Sequence, residues 1–119
     1  MSIQFTLKED GDILFVQYTG SFDPEDDEKT DRELAKICSE KRIKKLLIDL
    51  TRLEGLPNLF ESYQSGASLA ERGFKRQTKI AFVDRQEFKS ANEFYELVAK
   101  NRGFQIKHFY AVEDALEWL

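Results

Sequence analysis

The tripeptide Arg-Gly-Phe occurs twice in this sequence, at residues 72–74 and 102–104, each time where a helix is predicted to end and a strand to follow. Glycine just beyond a helix adopts the left-handed conformation that caps many helices without steric cost. Short apolar segments follow at residues 80–83 and 106–109. The repeat therefore predicts that both glycines have a positive φ, and its spacing of roughly thirty residues is that of a strand–helix–strand unit.

The remaining elements are predicted from periodicity and turn residues. Residues 3–8 alternate between apolar and polar side chains, which predicts an edge strand with one solvated face. Asp10-Gly11 is typical of a hairpin turn, and Asp23-Pro24 is typical of a helix N-cap and first position. Four further strands are predicted at residues 13–18, 46–50, 80–83 and 105–110. The order is β-β-α-β-α-β-α-β-α, which predicts a mostly parallel sheet with helices on both faces.

The second helix is the least regular of the predicted helices. It is predicted to begin at residues 56–58 and to end at Arg72. Its predicted inner face comprises Leu59, Tyr63, Gly66, Ala67 and Ala70. Phe60 and Leu69 lie off that stripe, so either the buried face is broad or the helix borders an apolar groove for a lipid-like ligand or a partner. A terminal helix at residues 112–119 is predicted to turn Ala115, Leu116 and Leu119 towards the core, with Trp118 beside them.

Length and composition favour one soluble domain over residues 1–119. Net charge is −4, which argues against general nucleic-acid binding. The first twelve residues are too charged for a signal peptide, and the longest apolar runs are too short for a transmembrane segment. Cys38 is the only cysteine, so no internal disulfide can form, and the chain is expected in the cytoplasm.

The element order, the strand Leu-Leu-Ile-Asp-Leu-Thr at residues 46–51 and the acidic-apolar ending at residues 112–119 resemble the STAS domain family. The resemblance is greatest to the small stand-alone SpoIIAA-like (STAS/Sec14-like) bacterial proteins, and it covers nearly the whole chain. It implies an α/β fold with about five mostly parallel strands, an N-terminal antiparallel hairpin and four helices. Antagonists of this family carry a phosphorylatable serine near residues 57–60, where this chain has Pro-Asn-Leu-Phe. Thr51 and Ser62 lie to either side and do not match.

Candidate binding residues fall at the ends of the predicted strands, where open α/β sheets bind ligands. We expect Asp49, Thr51, Arg52, Asp84 and Arg85 to converge there, with Phe60 and Tyr63 contributed by the second helix. Turn formation and helix capping are the simpler explanation of the same polar residues.

Residues for catalysis are not apparent in the sequence. His108 is the only histidine, and no serine or cysteine nucleophile is placed beside it by a motif. Asp23, Asp26 and Asp27 lack the spacing of a calcium loop, and no glycine-rich phosphate loop is present. We therefore predict no metal, no cofactor and no enzymatic activity.

The sequence leaves two functions open. The first is a non-enzymatic regulatory module that binds a protein partner or small ligand without the serine switch, and the second is a Sec14-like carrier of an apolar ligand. A homodimer is a further alternative for the partner. An enclosed apolar cavity would favour the carrier, whereas an exposed apolar patch near the second helix would favour partner binding.

Overall fold

The computed structural model describes residues 3–55 and 57–119, and it contains a five-stranded sheet in the order β1-β2-β3-β4-β5. The strands are β1 (Gln4–Asp10), β2 (Ile13–Ser21), β3 (Lys45–Glu54), β4 (Lys79–Val83) and β5 (Gln105–Phe109). β1 and β2 form an antiparallel hairpin through a two-residue turn, and the three following pairs are parallel. The predicted fold class is confirmed, and β1 is an edge strand as expected.

Helices connect the parallel strands and close the chain. They are α1 (Pro24–Glu40), α2 (Leu59–Ala67), α3 (Leu69–Arg72), α4 (Lys89–Lys100) and α5 (Val112–Trp118), with a 3₁₀ turn at Gln86–Phe88. Four helices have seven residues or more, as predicted, but the second predicted helix is interrupted at Ser68, and its predicted start at Leu56 lies outside the described residues. Within the described ranges, no helix has the length and apolar composition needed to cross a membrane.

Because the strands follow one another in chain order, each right-handed crossover places its helix on the same face of the sheet. Side chains of α1, α3 and α4 share one core with alternate residues of the strands, such as Leu46 and Ile48. Cys38 belongs to this core, as predicted, and burial raises the pKa of its thiol to about 11. Helices thus cover both faces, but unequally, since the opposite face is packed by α5.

The core on the α5 face is smaller. Its buried members are Leu47, Ala81, Val83 and Ala115, and Trp118 and Leu119 pack against them. The terminal helix is therefore part of the folded core, as predicted. The prediction that Leu116 faces the core is wrong. This side chain is 39% exposed, because it lies about 100° around the helix from the buried Ala115.

Three helices end with the same pair of hydrogen bonds. At the end of α3, the N–H of Phe74 donates to the carbonyl of Leu69 and that of Gly73 to the carbonyl of Ala70. Equivalent bonds close α4 at residues 99–104 and α1 at residues 38–43. This is the Schellman arrangement. Counted from the first of the two residues whose carbonyls accept, such as Leu69, its fifth residue must have a left-handed conformation. The predicted positive φ is confirmed at both glycines, with values of 105° and 86°, while in α1 the position is held by Arg42 at 56°.

We expect Arg42→Gly to raise the free energy of unfolding by about 0.5–1 kcal/mol, because glycine removes the side-chain strain of the left-handed conformation. Gly73→Ala, at the equivalent position of α3, should lower it by about 1 kcal/mol or more. Urea unfolding of both variants tests whether the two free energies of unfolding change in opposite directions. Two changes of the same sign would contradict the assignment of a shared cap.

Candidate functional site

The predicted site residues lie at the carboxyl ends of β3 and β4, but on two faces of the sheet. Asp49 pairs in register with Val83, so the two side chains point to the same face, and Asp84 points to the other. Asp49 borders a shallow depression with Phe15 on the α5 side, whereas Asp84 faces the large helices. The expected convergence of all five polar residues is therefore wrong, because one position along a strand reverses the side chain.

Asp49 is the centre of a local hydrogen-bond cluster. Its Oδ1 accepts from the backbone N–H of Thr51 at 2.8 Å and from the Thr51 hydroxyl at 2.6 Å, and its Oδ2 accepts from Gln17 Nε2 at 3.2 Å. β3 continues to Glu54, so Thr51 and Arg52 belong to the strand and not to a loop. Arg52 is exposed opposite Thr19, next to a register shift in the β2–β3 pair.

Asp84 and Arg85 form the second group. Asp84 is buried, and its carboxylate accepts from the backbone N–H of Arg85 at 2.8 Å and from Asn92 Nδ2 at 3.1 Å. The guanidinium of Arg85 donates to the carbonyl of Leu53 at 2.6 Å and lies 4.4 Å from the centre of the Phe88 ring. These bonds fix both side chains beside the opening between β3 and α4.

A cavity of about 90 Å³, which we call the strand-end cavity, opens at this position. It lies between the strand ends, the start of α1, α2 and α4. The polar side chains in its wall include Asp27, Asp31, Ser62, Asp84, Asn92 and His108. Phe22, Phe82, Phe88 and Tyr95 form much of the remaining wall. Ligand pockets of drug-sized molecules have volumes of ~300–1,000 Å³, so the strand-end cavity is small for a lipid site, and its mostly apolar wall contains three carboxylates.

Beside the cavity, Arg72 is buried between two carboxylates. Its Nη1 lies 2.8 Å from Asp27 Oδ2 and 2.8 Å from Asp31 Oδ2, and Nε donates to the Ser68 hydroxyl at 2.9 Å. The hydroxyl of Tyr18 donates to Asp31 Oδ1 at 3.1 Å. Burial, the neighbouring Asp27 charge and incomplete compensation by Arg72 raise the pKa of Asp31 to about 7. Sequence reasoning assigned Arg72 only a helix-end role and missed this network.

The raised pKa of Asp31 predicts a pH effect on stability. Between about pH 4 and pH 7 Asp31 is protonated in the folded protein but ionised in the unfolded chain. The contribution of Asp31 to the free energy of unfolding therefore falls as the pH rises. The fall is about 1.4 kcal/mol for each pH unit in which only the folded state is protonated. Asparagine does not titrate, so we expect the free energy of unfolding of Asp31→Asn, relative to that of wild type, to increase as the pH rises from about 4 to 7. A difference that is constant from about pH 4 to pH 8 would contradict the assignment.

His108 is buried and paired with a carboxylate. Its Nδ1 lies 3.1 Å from Glu96 Oε2, which also accepts the backbone N–H of His108 at 3.0 Å. The ring stacks on Phe82 with centroids 4.7 Å apart. Burial raises the pKa of Glu96, but its hydrogen bonds from His108 outweigh that effect and leave the pKa below its usual value. No motif or spacing in the sequence indicated the partnership of His108 with Glu96.

The exposed face of α2 carries three large apolar side chains. Leu59, Phe60 and Tyr63 are 64%, 66% and 43% exposed, and we call these three residues the α2 patch. The buried residues of α2 are Ser62 and Gly66, so the predicted inner face of the second helix is wrong at Leu59 and Tyr63. It is also wrong at Ala70, which is exposed, whereas Leu69, predicted off that face, is buried.

Close packing against α4 explains this reversal. A Cβ atom at Gly66 would lie 3.1 Å from the carbonyl oxygen of Tyr95 and 3.3 Å from Val98. Only small residues fit at such a distance, so small side chains occupy the inner face and large ones remain outside. Phe60 and Tyr63 are thus solvent-exposed and separate from the Asp49 cluster.

The two hydroxyls nearest the missing serine have different environments. Thr51 is exposed but hydrogen-bonded to Asp49, and Ser62 is 2% exposed in the wall of the strand-end cavity. At the start of α2, Asn58 caps the helix: its side chain accepts from the N–H of Glu61, whose carboxylate accepts from the N–H of Asn58.

The fold and its strand-end site define a class of small α/β proteins with a sequentially ordered sheet and three crossover connections on one face. The sequence profile of the SpoIIAA-like family matches residues 13–119. The chain belongs to the SpoIIAA-like family, which confirms the resemblance seen in its sequence. A comparison with curated proteins found no match.

Solved structures share this fold. An anti-sigma factor antagonist from Mycobacterium paratuberculosis is similar with a TM-score of 0.65 and 18% identity, over 98% of this chain and 93% of the other. A protein of the DUF3478 family with a SpoIIAA-like fold from Shewanella loihica is similar with a TM-score of 0.59 and 23% identity, over 99% of this chain and 94% of the other. At these identities the similarity establishes a common fold.

Proposed function

We propose that this protein is a non-enzymatic, cytoplasmic regulatory module that binds a protein partner through the α2 patch. The observation that carries the proposal is the exposure of Leu59, Phe60 and Tyr63 on one helix whose inner face is small and polar. Large apolar side chains grouped at a surface are typical of protein interaction sites. The similar structure from Mycobacterium paratuberculosis is that of an anti-sigma factor antagonist. This name, which describes action on another protein factor, supports the same class of function.

The surface next to the patch indicates the chemistry of the partner. A groove between α1 and α2 runs past Tyr63 and is lined by Glu25, Glu28, Glu61 and Glu71. Of these, Glu28 is paired with Arg32 at 2.9 Å. A partner with an apolar centre and basic flanking residues would complement this surface. Asp49, Thr51 and Arg52 are a second candidate contact at the strand end.

Regulation through a phosphorylated serine is not part of the proposal. Pro57, Asn58, Leu59 and Phe60 supply no hydroxyl, and Ser62 is too buried for a kinase to reach while α2 stays packed. Incubation with extract of the source organism and ATP should add no mass to the protein. A phosphate mapped to Thr51 or Ser62 by mass spectrometry would overturn this part of the proposal.

The binding proposal is tested by comparing variants for partner retention. Wild type and Leu116→Ala, which shortens an exposed leucine on the opposite face, should retain the same partner from extract of the source organism. Phe60→Ala and Tyr63→Ala should lose it, and, because both side chains are exposed, their stability should change by less than about 1 kcal/mol. Asp49→Ala measures the contribution of the strand end. Equal retention by all variants would contradict the proposal.

The lipid-carrier alternative is disfavoured by the size and lining of the strand-end cavity. A volume of about 90 Å³ and a wall containing Asp27, Asp31 and Asp84 do not suit an acyl chain. The exposed α2 patch is the feature that the partner-binding alternative requires.

A further inference from the structure

The strand-end cavity has an excess of negative charge in its wall. Asp27, Asp31 and Asp84 line it, together with one guanidinium, that of Arg85. Arg72 contacts Asp27 and Asp31, but it lies in the wall of the neighbouring groove and not in that of the cavity. Three carboxylates are therefore balanced by only two guanidinium groups, those of Arg85 and Arg72. One negative charge remains in excess, and a cationic ligand would compensate it.

Two further buried polar groups offer hydrogen-bonding atoms to the cavity. The side chain of His108 is 3% exposed, and its Nδ1 carries the proton because the carboxylate of Glu96 can only accept. In the neutral ring Nε2 is then an acceptor, and the hydrogen bonds of His108 to side chains of residues 3–55 and 57–119 involve only Nδ1 and the backbone N–H. Ser62, also in the wall, is 2% exposed and can accept as well.

The size and walls of the cavity restrict the ligand further. A protein cavity of ~150 Å³ is enough for benzene, so about 90 Å³ suits a group of about four non-hydrogen atoms. Aromatic walls lower the local dielectric constant, which strengthens interactions between charges. Arg85 provides an internal example of the same recognition, since its guanidinium lies over Phe88 and 3.5 Å from Asp84.

We propose that the strand-end cavity is a binding site for a guanidinium or small primary ammonium group, held by Asp31 and Asp84 with His108 Nε2 as an additional acceptor. The several N–H donors of such a group match the acceptors in the wall. The described residues include no group of three or more His, Cys, Asp or Glu side chains arranged to hold a metal ion, so the geometry favours an organic cation. The group belongs either to a free small molecule or to an arginine side chain of a partner.

The test is an NMR titration of the isotopically labelled protein with guanidinium chloride, with urea as the uncharged ligand of the same shape. Guanidinium is used at about 10 mM, far below the molar range in which it unfolds proteins. The solution is kept near pH 8, above the pKa of about 7 of Asp31, so that this carboxyl group is ionised. The titratable and charged groups that surround it are Asp27, Arg72, Tyr18 and Tyr95. We expect saturable shifts at Ser62, Asn92 and His108 with guanidinium and at least about tenfold weaker binding of urea.

Variants and a second ligand complete the test. Asp31→Asn and Asp84→Asn should each weaken guanidinium binding about tenfold, while Asp114→Asn, on the exposed face of α5, should not change it. If Asp31→Asn fails to fold, Asp84→Asn decides the question.

A second ligand identifies the source of the cationic group. Equal binding of the blocked amino acid N-acetyl-arginine methylamide would identify an arginine side chain of a partner as the source. Binding of free guanidinium alone would identify a small molecule. Equal shifts with urea, no saturable shifts, or unchanged affinity in Asp84→Asn would overturn the proposal.

Discussion

Arg72→Met is expected to lower the free energy of unfolding by about 3–5 kcal/mol, because it leaves Asp27 and Asp31 buried without their cation. Methionine retains most of the side-chain volume, so the loss measures charge and hydrogen bonding more than packing. The loss should be smaller at about pH 5 than at pH 8, since a protonated Asp31 needs no cation. Adding Asp31→Asn should recover part of it, which a double-mutant cycle would measure.

The repeated Arg-Gly-Phe motif provides a matched control for this prediction. Arg102 occupies the same position relative to its glycine, but it is half-buried and donates to the carbonyl of Val98 at 3.0 Å and to the Tyr63 hydroxyl at 3.3 Å. Arg102→Met should therefore cost no more than about 1 kcal/mol. Equal losses for the two arginines would show that the buried carboxylates do not determine the effect.

Deletion of residues 112–119 is expected to destabilise the fold by several kcal/mol. Ala115 is fully buried, and Trp118 and Leu119 cover Leu47, Ala81 and Val83 on the α5 face. Each large apolar side chain contributes about 1.5–3 kcal/mol when it is fully buried, and those of α5 are partly buried. The deletion also removes the Trp118 carbonyl, which accepts from Lys79 Nζ at 2.6 Å. Thermal unfolding of the truncated protein tests the prediction.

Leu116→Ala separates the core contribution of α5 from a general effect of shortening side chains at the chain end. Because Leu116 is 39% exposed, its loss should change stability by less than about 1 kcal/mol. Trp118→Ala should cost clearly more. A truncated protein that melts like wild type would refute the claim that α5 is part of the core.

The sequence predicted those parts of the fold that depend on local geometry. Gly73 and Gly103 marked two helix ends because a left-handed residue is required there. Pro24 and Asp23 marked the start of α1, where the Asp23 carboxylate accepts the N–H of Asp26 at 3.1 Å. Apolar residues on both sides of the strand at residues 46–50 indicated burial on two faces. These signals need no knowledge of which elements pack together.

The site was less predictable because it depends on packing between elements. The orientation of α2 follows from the close approach of Gly66 to α4. Hydrophobic periodicity does not reveal this approach, so Leu59 and Tyr63 of the α2 patch were assigned to the inner face. Likewise, Asp49 and Asp84 both follow apolar segments, but the strand register separates their side chains. The interruption of the expected apolar pattern by Ser62, Ser65 and Ser68 was the available signal that this helix is unusual.

The Arg72 network shows a second limit of sequence reasoning. Asp27 and Asp31 are spaced by one helical turn on α1, and Arg72 is 41 residues beyond Asp31 in the chain. A basic residue at a helix end is well explained by the helix dipole, so sequence offered no reason to place it inside the protein. Its burial follows from the packing of α3 against α1.

Site-specific photocrosslinking in the source organism tests the central claim, partner binding through the α2 patch, most directly. A photoreactive phenylalanine analogue at position 60 preserves the apolar character of this side chain, which is 66% exposed. The same analogue at position 116, on the opposite face of the sheet, is the control. The account predicts a discrete crosslinked protein from position 60 and none from position 116. Crosslinks of equal yield from both positions, or from position 116 alone, would contradict it.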